Sequence, residues 1–162
     1  MNNIYNIYWN NIDKITFLYG TKLKFVNRCV EFENFQIPAG ITIHLWRMKT
    51  SFYNNRIHPS LPLLSRNEYY TVQFKYECKP ENGIYFVIEF YKKNDEIIET
   101  LIVQDKEVDF VYPENADYYQ IKMMSASVNQ LKFDCITLTH QQLLMDMSNA
   151  IDIYNRWSNE VL

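Results

Sequence analysis

Between Tyr69 and Cys78 the chain alternates strictly. Tyr70, Val72, Phe74, Tyr76 and Cys78 fall on one side, and Tyr69, Thr71, Gln73, Lys75 and Glu77 on the other. A period of two with one apolar face predicts a half-buried strand. The Lys79-Pro80-Glu81-Asn82-Gly83 segment then reverses the chain. Ile84 to Tyr91 is apolar on both faces apart from Glu89, which places it centrally in a sheet. Asn94-Asp95 marks another turn before Ile97–Val103, so these three strands read as a β-meander.

Further strands are expected at Ile4–Trp9, Thr16–Tyr19, Leu23–Phe25, Val30–Phe35, Ile41–Trp46, Val108–Val111, Tyr118–Ser125 and Leu131–Leu138. Gly20, Pro38 with Gly40, Pro59 with Pro62, and Pro113 punctuate them. The count and spacing predict an all-β, antiparallel β-sandwich over residues 1–139. A closed barrel has the same periodicity and stays open as an alternative. In Pro59-Ser60-Leu61-Pro62-Leu63-Leu64 the prolines enforce extended backbone, and the leucines are expected to plug one end of the sandwich.

The period changes near the C-terminus. Leu143, Leu144, Met147, Ala150, Ile151, Tyr154, Trp157 and Val161 fall at helical spacing. Thr139 and Gln142 have the spacing of a capping box. Residues 140–162 are therefore expected to add an amphipathic helix to the same domain, about 30 Å long. Its apolar face must be covered, either by the sandwich or by a partner chain. In the second case Leu144, Met147, Ile151, Tyr154 and Trp157 are the partner-binding candidates.

At 162 residues the chain suits one domain with a single core. The aromatic share, 16%, fits both pleated strands and surfaces that stack on sugars. A net charge of −3 without any basic run argues against nucleic acid as a partner. The start of the chain lacks the basic and apolar regions of a signal peptide, and no apolar run is long enough for a transmembrane segment. Three widely spaced cysteines, Cys29, Cys78 and Cys135, fit neither a disulfide framework nor a zinc site. Together these features predict a cytoplasmic protein.

The polar inventory offers little for catalysis. His44, His58 and His140 are far apart, so no metal is expected, and neither a nucleophile elbow nor a phosphate-binding glycine loop is present. Glu31, Glu33 and Glu89 sit on strands, where a glycosidase pair is formally open but a solvated face is the ordinary reading. A binding site is easier to build. If Ile41, Ile43 and Leu45 point inward, His44 and Trp46 project outward beside Tyr53 and Arg56 of the following loop. Aromatic planes with Arg and His suit a glycan. The competing reading makes Trp46 part of the core.

From Tyr5 to Leu138 the chain also resembles a known family. The matching positions include Tyr8-Trp9, Leu18-Tyr19-Gly20-Thr21-Lys22-Leu23 and Phe32-Glu33-Asn34. They continue through Pro38-Ala39-Gly40, Thr42-Ile43-His44, Trp46, Pro59 to Leu64, Tyr85-Phe86, Glu89-Phe90 and Tyr112-Pro113-Glu114. In order and spacing these are similar to the smallest of the three accessory secretory proteins of the bacterial accessory Sec system. The resemblance implies a jelly-roll or carbohydrate-binding-module-like sandwich, with no enzymatic activity and no cofactor. It further implies a cytoplasmic adaptor that reaches the membrane only through its complex. Its partners would be two larger accessory secretory proteins, a glycosylated serine-rich repeat adhesin and the accessory motor ATPase. The residues by themselves leave an autonomous glycan- or glycopeptide-binding module as the alternative.

Overall fold

The structure is a computed structural model that describes residues 4–10, 19–48, 61–141 and 151–157. Among the described residues ten strands run in chain order: β1 (Ile4–Ile7), β2 (Lys22–Val26), β3 (Cys29–Glu33), β4 (Thr42–Arg47), β5 (Tyr69–Lys79), β6 (Ile84–Tyr91), β7 (Ile97–Val103), β8 (Glu107–Val111), β9 (Tyr118–Ser125) and β10 (Gln130–His140). They form two antiparallel sheets, so the sandwich expectation holds and the single closed barrel does not. Sheet A has the order β2-β3-β10-β5-β8, with β1 also on β10, and sheet B has the order β4-β9-β6-β7.

Strand β10 organises sheet A. One edge pairs with β5 along its length. The other is shared end to end: Gln130–Phe133 pair with β3, and Ile136–Thr139 pair with β1. A bulge at Asp134 shifts the register between these halves, so Leu131 and Phe133 before it and Ile136 and Leu138 after it all reach the interior.

The expected meander is corrected. β6 and β7 do pair, but β5 belongs to the opposite sheet. The turn between β5 and β6 carries the chain across the sandwich. The reason lies in the faces: β6 is apolar on its inner side, and so is β5, and each buries that side against the other. Phe74 and Phe86 stack with centroids 3.8 Å apart. The turn itself is tight. A Cβ on Gly83 would lie 2.9 Å from the Pro80 carbonyl oxygen and 3.0 Å from Val128 Cα. Both are backbone atoms, so Gly83→Ala is expected to cost about 1–3 kcal/mol, measured as a shift of the urea midpoint at constant slope.

Among the described residues, twelve aromatic side chains are buried in the core. Trp9, Phe32, Trp46 and Phe133 fill one end; Tyr70, Phe90, Phe110, Tyr112 and Tyr119 fill the other. Leu61 is buried and Leu64 packs on the core, but Leu63 is 79% exposed, so only two of the three leucines close the sandwich end. The Tyr119 hydroxyl donates to the Pro62 carbonyl at 2.8 Å and pins this segment. Cys135 is buried, Cys29 and Cys78 are half-buried, and all three are free thiols.

Strand β10 runs on to His140, so Thr139 pairs with Thr71 and Ile4 and does not act as a helix cap. Residues 151–157 are helical and exposed throughout. Among the described residues no helix is long and apolar enough to cross a membrane. The expected strand at Thr16–Tyr19 lies outside the described residues except for Tyr19, which sits in a turn.

Candidate functional site

His44 and Trp46 do not project outward as expected; they are 5% and 1% exposed. A bulge in β4 explains the reversal. The pairing with β9 shifts between Thr42 and His44, so Ile43 is the extra residue. Beyond it His44 lies opposite Met123 and Trp46 opposite Ile121, both interior residues, while Leu45 pairs with Lys122 on the other face of the sheet, where it is nonetheless buried. A one-residue slip exchanges the faces of everything that follows.

The two side chains belong to an aromatic cluster. The His44 ring stacks on Trp9 at 4.6 Å and meets Trp46 edge-on at 4.7 Å. Trp46 lies 5.3 Å from Phe133, and its indole N–H donates to the Tyr8 carbonyl at 3.0 Å. Trp9 is equally buried, and its indole N–H has no acceptor among the described residues. These rings hold β4 and β10 together and offer no face to a sugar. Tyr53 and Arg56 lie outside the described residues, as do Leu144 and Met147. Ile151, Tyr154 and Trp157 fall on one helical face and are 57%, 65% and 61% exposed.

The outer faces of the two sheets differ in chemistry. On sheet B, Glu89 sits on the outer side of β6 yet is only 7% exposed, which corrects its reading as a solvated carboxylate. Lys122 Nζ lies 2.7 Å from its carboxylate, and Gln120 Nε2 donates to it at 2.9 Å and to the Tyr91 hydroxyl at 2.7 Å. Burial opposes ionisation of Glu89, but the hydrogen bonds from Lys122 and Gln120 outweigh it and hold the carboxyl below its ordinary range. Tyr91 stacks flat on Tyr118 at 4.8 Å, and Tyr118 bonds to Asp95. Burial raises both phenols well above their ordinary value, so they act as neutral donors.

Sheet A carries a trough of about 660 Å³ on its outer face. Three registered rows cross β2, β3, β10 and β5 there. One row is Lys22, Glu33, Gln130 and Lys79; another is Lys24, Glu31, Lys132 and Glu77. The row between them is Leu23, Phe32, Leu131 and Cys78, whose side chains pack on the core and whose backbone forms the floor. The sequence held the signal as alternation in four strands, but only strand order reveals that the charged positions align.

Among the described residues no three His, Cys, Asp or Glu side chains are placed to hold a metal ion. His140 Nε2 lies 3.2 Å from Glu68 and stacks on Tyr70, which fixes the end of β10.

The class defined by the fold is thus a two-sheet antiparallel sandwich. The family described as accessory Sec secretory system ASP3 matches residues 16–140, and the chain belongs to that family. Its curated relatives carry the same family name. The chain is 38% identical over 146 residues to the accessory Sec system protein of this family from Staphylococcus aureus (strain NCTC 8325 / PS 47), covering 90% of this chain and 46% of that protein. The chain therefore spans about half the length of that relative. It is 28% identical over 142 residues to the corresponding accessory Sec system protein of Streptococcus gordonii, covering 82% and 89% of the two chains. Among solved structures, a chain in the crystal structure of accessory secretory proteins 1, 2 and 3 of Streptococcus pneumoniae superposes with a TM-score of 0.79. The identity is 29%, and 83% of this chain and 94% of that one are covered.

Proposed function

We propose that the chain is a non-enzymatic adaptor subunit that binds two larger accessory secretory proteins. In that complex it supports the glycan modification and export of a serine-rich repeat adhesin from the cytoplasm, handing the adhesin to the accessory motor ATPase. The observation that carries this reading is the match to a chain solved together with accessory secretory proteins 1 and 2, over nearly all of that chain's length. The names of the relatives, which are those of secretory-system proteins, point the same way.

The exposed helical residues supply a docking element. Ile151, Tyr154 and Trp157 present an aromatic and aliphatic stripe of the kind that anchors interfaces. Affinity purification from the source bacterium is expected to recover two larger accessory proteins, identified by mass spectrometry. Recovery of the chain alone overturns the reading. The double variant Tyr154→Asp, Trp157→Asp is expected to lose the partners, while its stability stays within about 0.5 kcal/mol because these positions are on the surface. Undiminished recovery would remove the helix from the interface.

A further inference from the structure

We propose that the free edge of β7 is a docking site for an extended, lysine- or arginine-bearing segment of another protein, which joins sheet B as one more strand. The edge itself is the first observation. Among the described residues β7 pairs with β6 alone, at the margin of sheet B. It is seven residues long, against five in β2 and β8 and six in β4, which end the other sides of the two sheets. Exposed strand edges are normally blunted by lysine or proline, and Ile97–Val103 contains neither. Ile102 is 66% exposed, so the strand offers apolar surface beside its unpaired backbone. The bulge at Ile98 leaves Glu99–Val103 as the regular part of the template. An added strand gains main-chain hydrogen bonds along such an edge, and its alternate side chains lie beside those of the host strand.

Charge selects the occupant. Glu99, Leu101 and Val103 lie opposite Phe90, Ile88 and Phe86, so all three belong to the inner face of sheet B. Leu101 and Val103 pack on the core, but Glu99 stays exposed at the rim. A carboxylate on the inner side of an edge strand deters apolar and acidic newcomers. A lysine or arginine across from it makes a favourable cross-strand pair. The surroundings act in the same direction. β8 follows β7 after three residues and ends sheet A on the same side, where its Phe110 meets Phe90 of β6 at 5.5 Å. The two edge strands therefore share one side wall of the sandwich. Six carboxylates and a single lysine fall between Asn94 and Asp109, in a chain whose net charge is only −3. That lysine, Lys106, is turned inward: its Nζ donates to the Tyr76 carbonyl at 2.7 Å and stands 4.7 Å from the centre of the Tyr76 ring. Asp105 and Glu107, on either side of it, are exposed. Such a wall attracts cationic segments from a distance. It also disfavours a second copy of this chain, because edge-to-edge pairing would bring two acidic walls together.

The test uses the isotopically labelled full chain and end-blocked hexapeptides at millimolar concentration, followed by amide chemical shifts. The first peptide, Thr-Lys-Val-Lys-Val-Thr, puts its lysines on one side and its valines on the other. It is expected to shift β7 signals saturably and to slow amide exchange between Glu99 and Val103. The charge-matched peptide Thr-Lys-Pro-Lys-Val-Thr, which cannot complete a strand ladder, is expected to bind about tenfold more weakly. The acidic peptide Thr-Glu-Val-Glu-Val-Thr is expected not to bind. Glu99→Gln keeps the size of an exposed side chain and is expected to weaken binding of the first peptide about threefold. Absence of shifts with that peptide overturns the proposal, as do shifts confined to other strands. Equal binding of the proline or the acidic peptide overturns it too, and so does undiminished affinity in Glu99→Gln. Sedimentation of the peptide-free chain checks the remaining occupant. Dimerisation that Ile102→Lys abolishes would assign the edge to a second copy and overturn the proposal. Because no accessory protein enters these measurements, either the strand site or the adaptor reading can fail while the other stands.

Discussion

Replacing Trp46 by alanine is expected to lower the stability of the folded chain by about 3–5 kcal/mol, the range for losing a fully buried large aromatic side chain. Three losses combine. The indole leaves a cavity against Phe133 and His44, its apolar area is no longer removed from water, and the Tyr8 carbonyl loses its donor. Urea unfolding at neutral pH measures the effect as a lower midpoint with an unchanged slope. Trp46→Phe keeps part of the ring but not the N–H, and should fall between the two. A Trp46→Ala variant as stable as the parent would mean that the side chain is not in the core. The experiment also bears on sugar binding, because lost binding in an unfolded variant says nothing about contact. The position is therefore unsuitable as a probe of ligand recognition.

The second large effect is expected at Glu89. Glu89→Ala strips Lys122 of its counter-charge and Gln120 of one of its two acceptors. Breaking such a pair from one side is expected to cost about 2–3 kcal/mol, below the usual range for fully buried pairs because the Lys122 side chain keeps 29% of its exposure. The double variant Glu89→Ala, Lys122→Met should recover part of that loss, since no unpaired charge remains. The pH dependence has a definite sign. The carboxyl titrates lower in the folded chain than in the unfolded one, so its contribution is complete above the unfolded value of about 4.3 and is lost as pH falls through the lower folded value. Below about pH 4.3 the parent should lose stability faster than Glu89→Gln, which has no charge to lose. Parallel urea curves for the two proteins across that interval would refute the assignment.

Most of the strands were legible in the sequence because one-sided burial imposes a period of two. The bounds of β6, β7 and β9 follow directly from their alternating or continuous apolar runs. The errors have a shared origin: periodicity records which residues share a face, but not what lies beyond an edge. A single bulge residue at Ile43 turned His44 and Trp46 inward, and alternation alone cannot show where one residue has been added. The β5–β6 turn looks like a hairpin in sequence, yet it joins two sheets, because facing strands and paired strands leave the same pattern. Glu89 reads as exposed until Lys122 and Gln120 are brought beside it from β9. The trough needed four strands in order before its rows existed at all. Family membership was legible from the order of scattered identities over the body, not from any reactive motif.

The position of β10 has a consequence for how the molecule comes into being. Three other strands of sheet A, β1, β3 and β5, have β10 as a neighbour, and among the described strands it is the last in chain order. A growing chain on the ribosome can close hairpins such as β2–β3 and β6–β7, but sheet A has no centre until residue 140 has emerged. Until then β1 and the β2–β3 hairpin wait on one side and β5 on the other, their inner aromatic residues uncovered. The sandwich is completed only after β10 has emerged, from contacts far apart in sequence, which is the slow kind of folding. A message truncated before β10 yields a product in which β1, the β2–β3 pair and the β5–β8 pair have no strand to join them into one sheet.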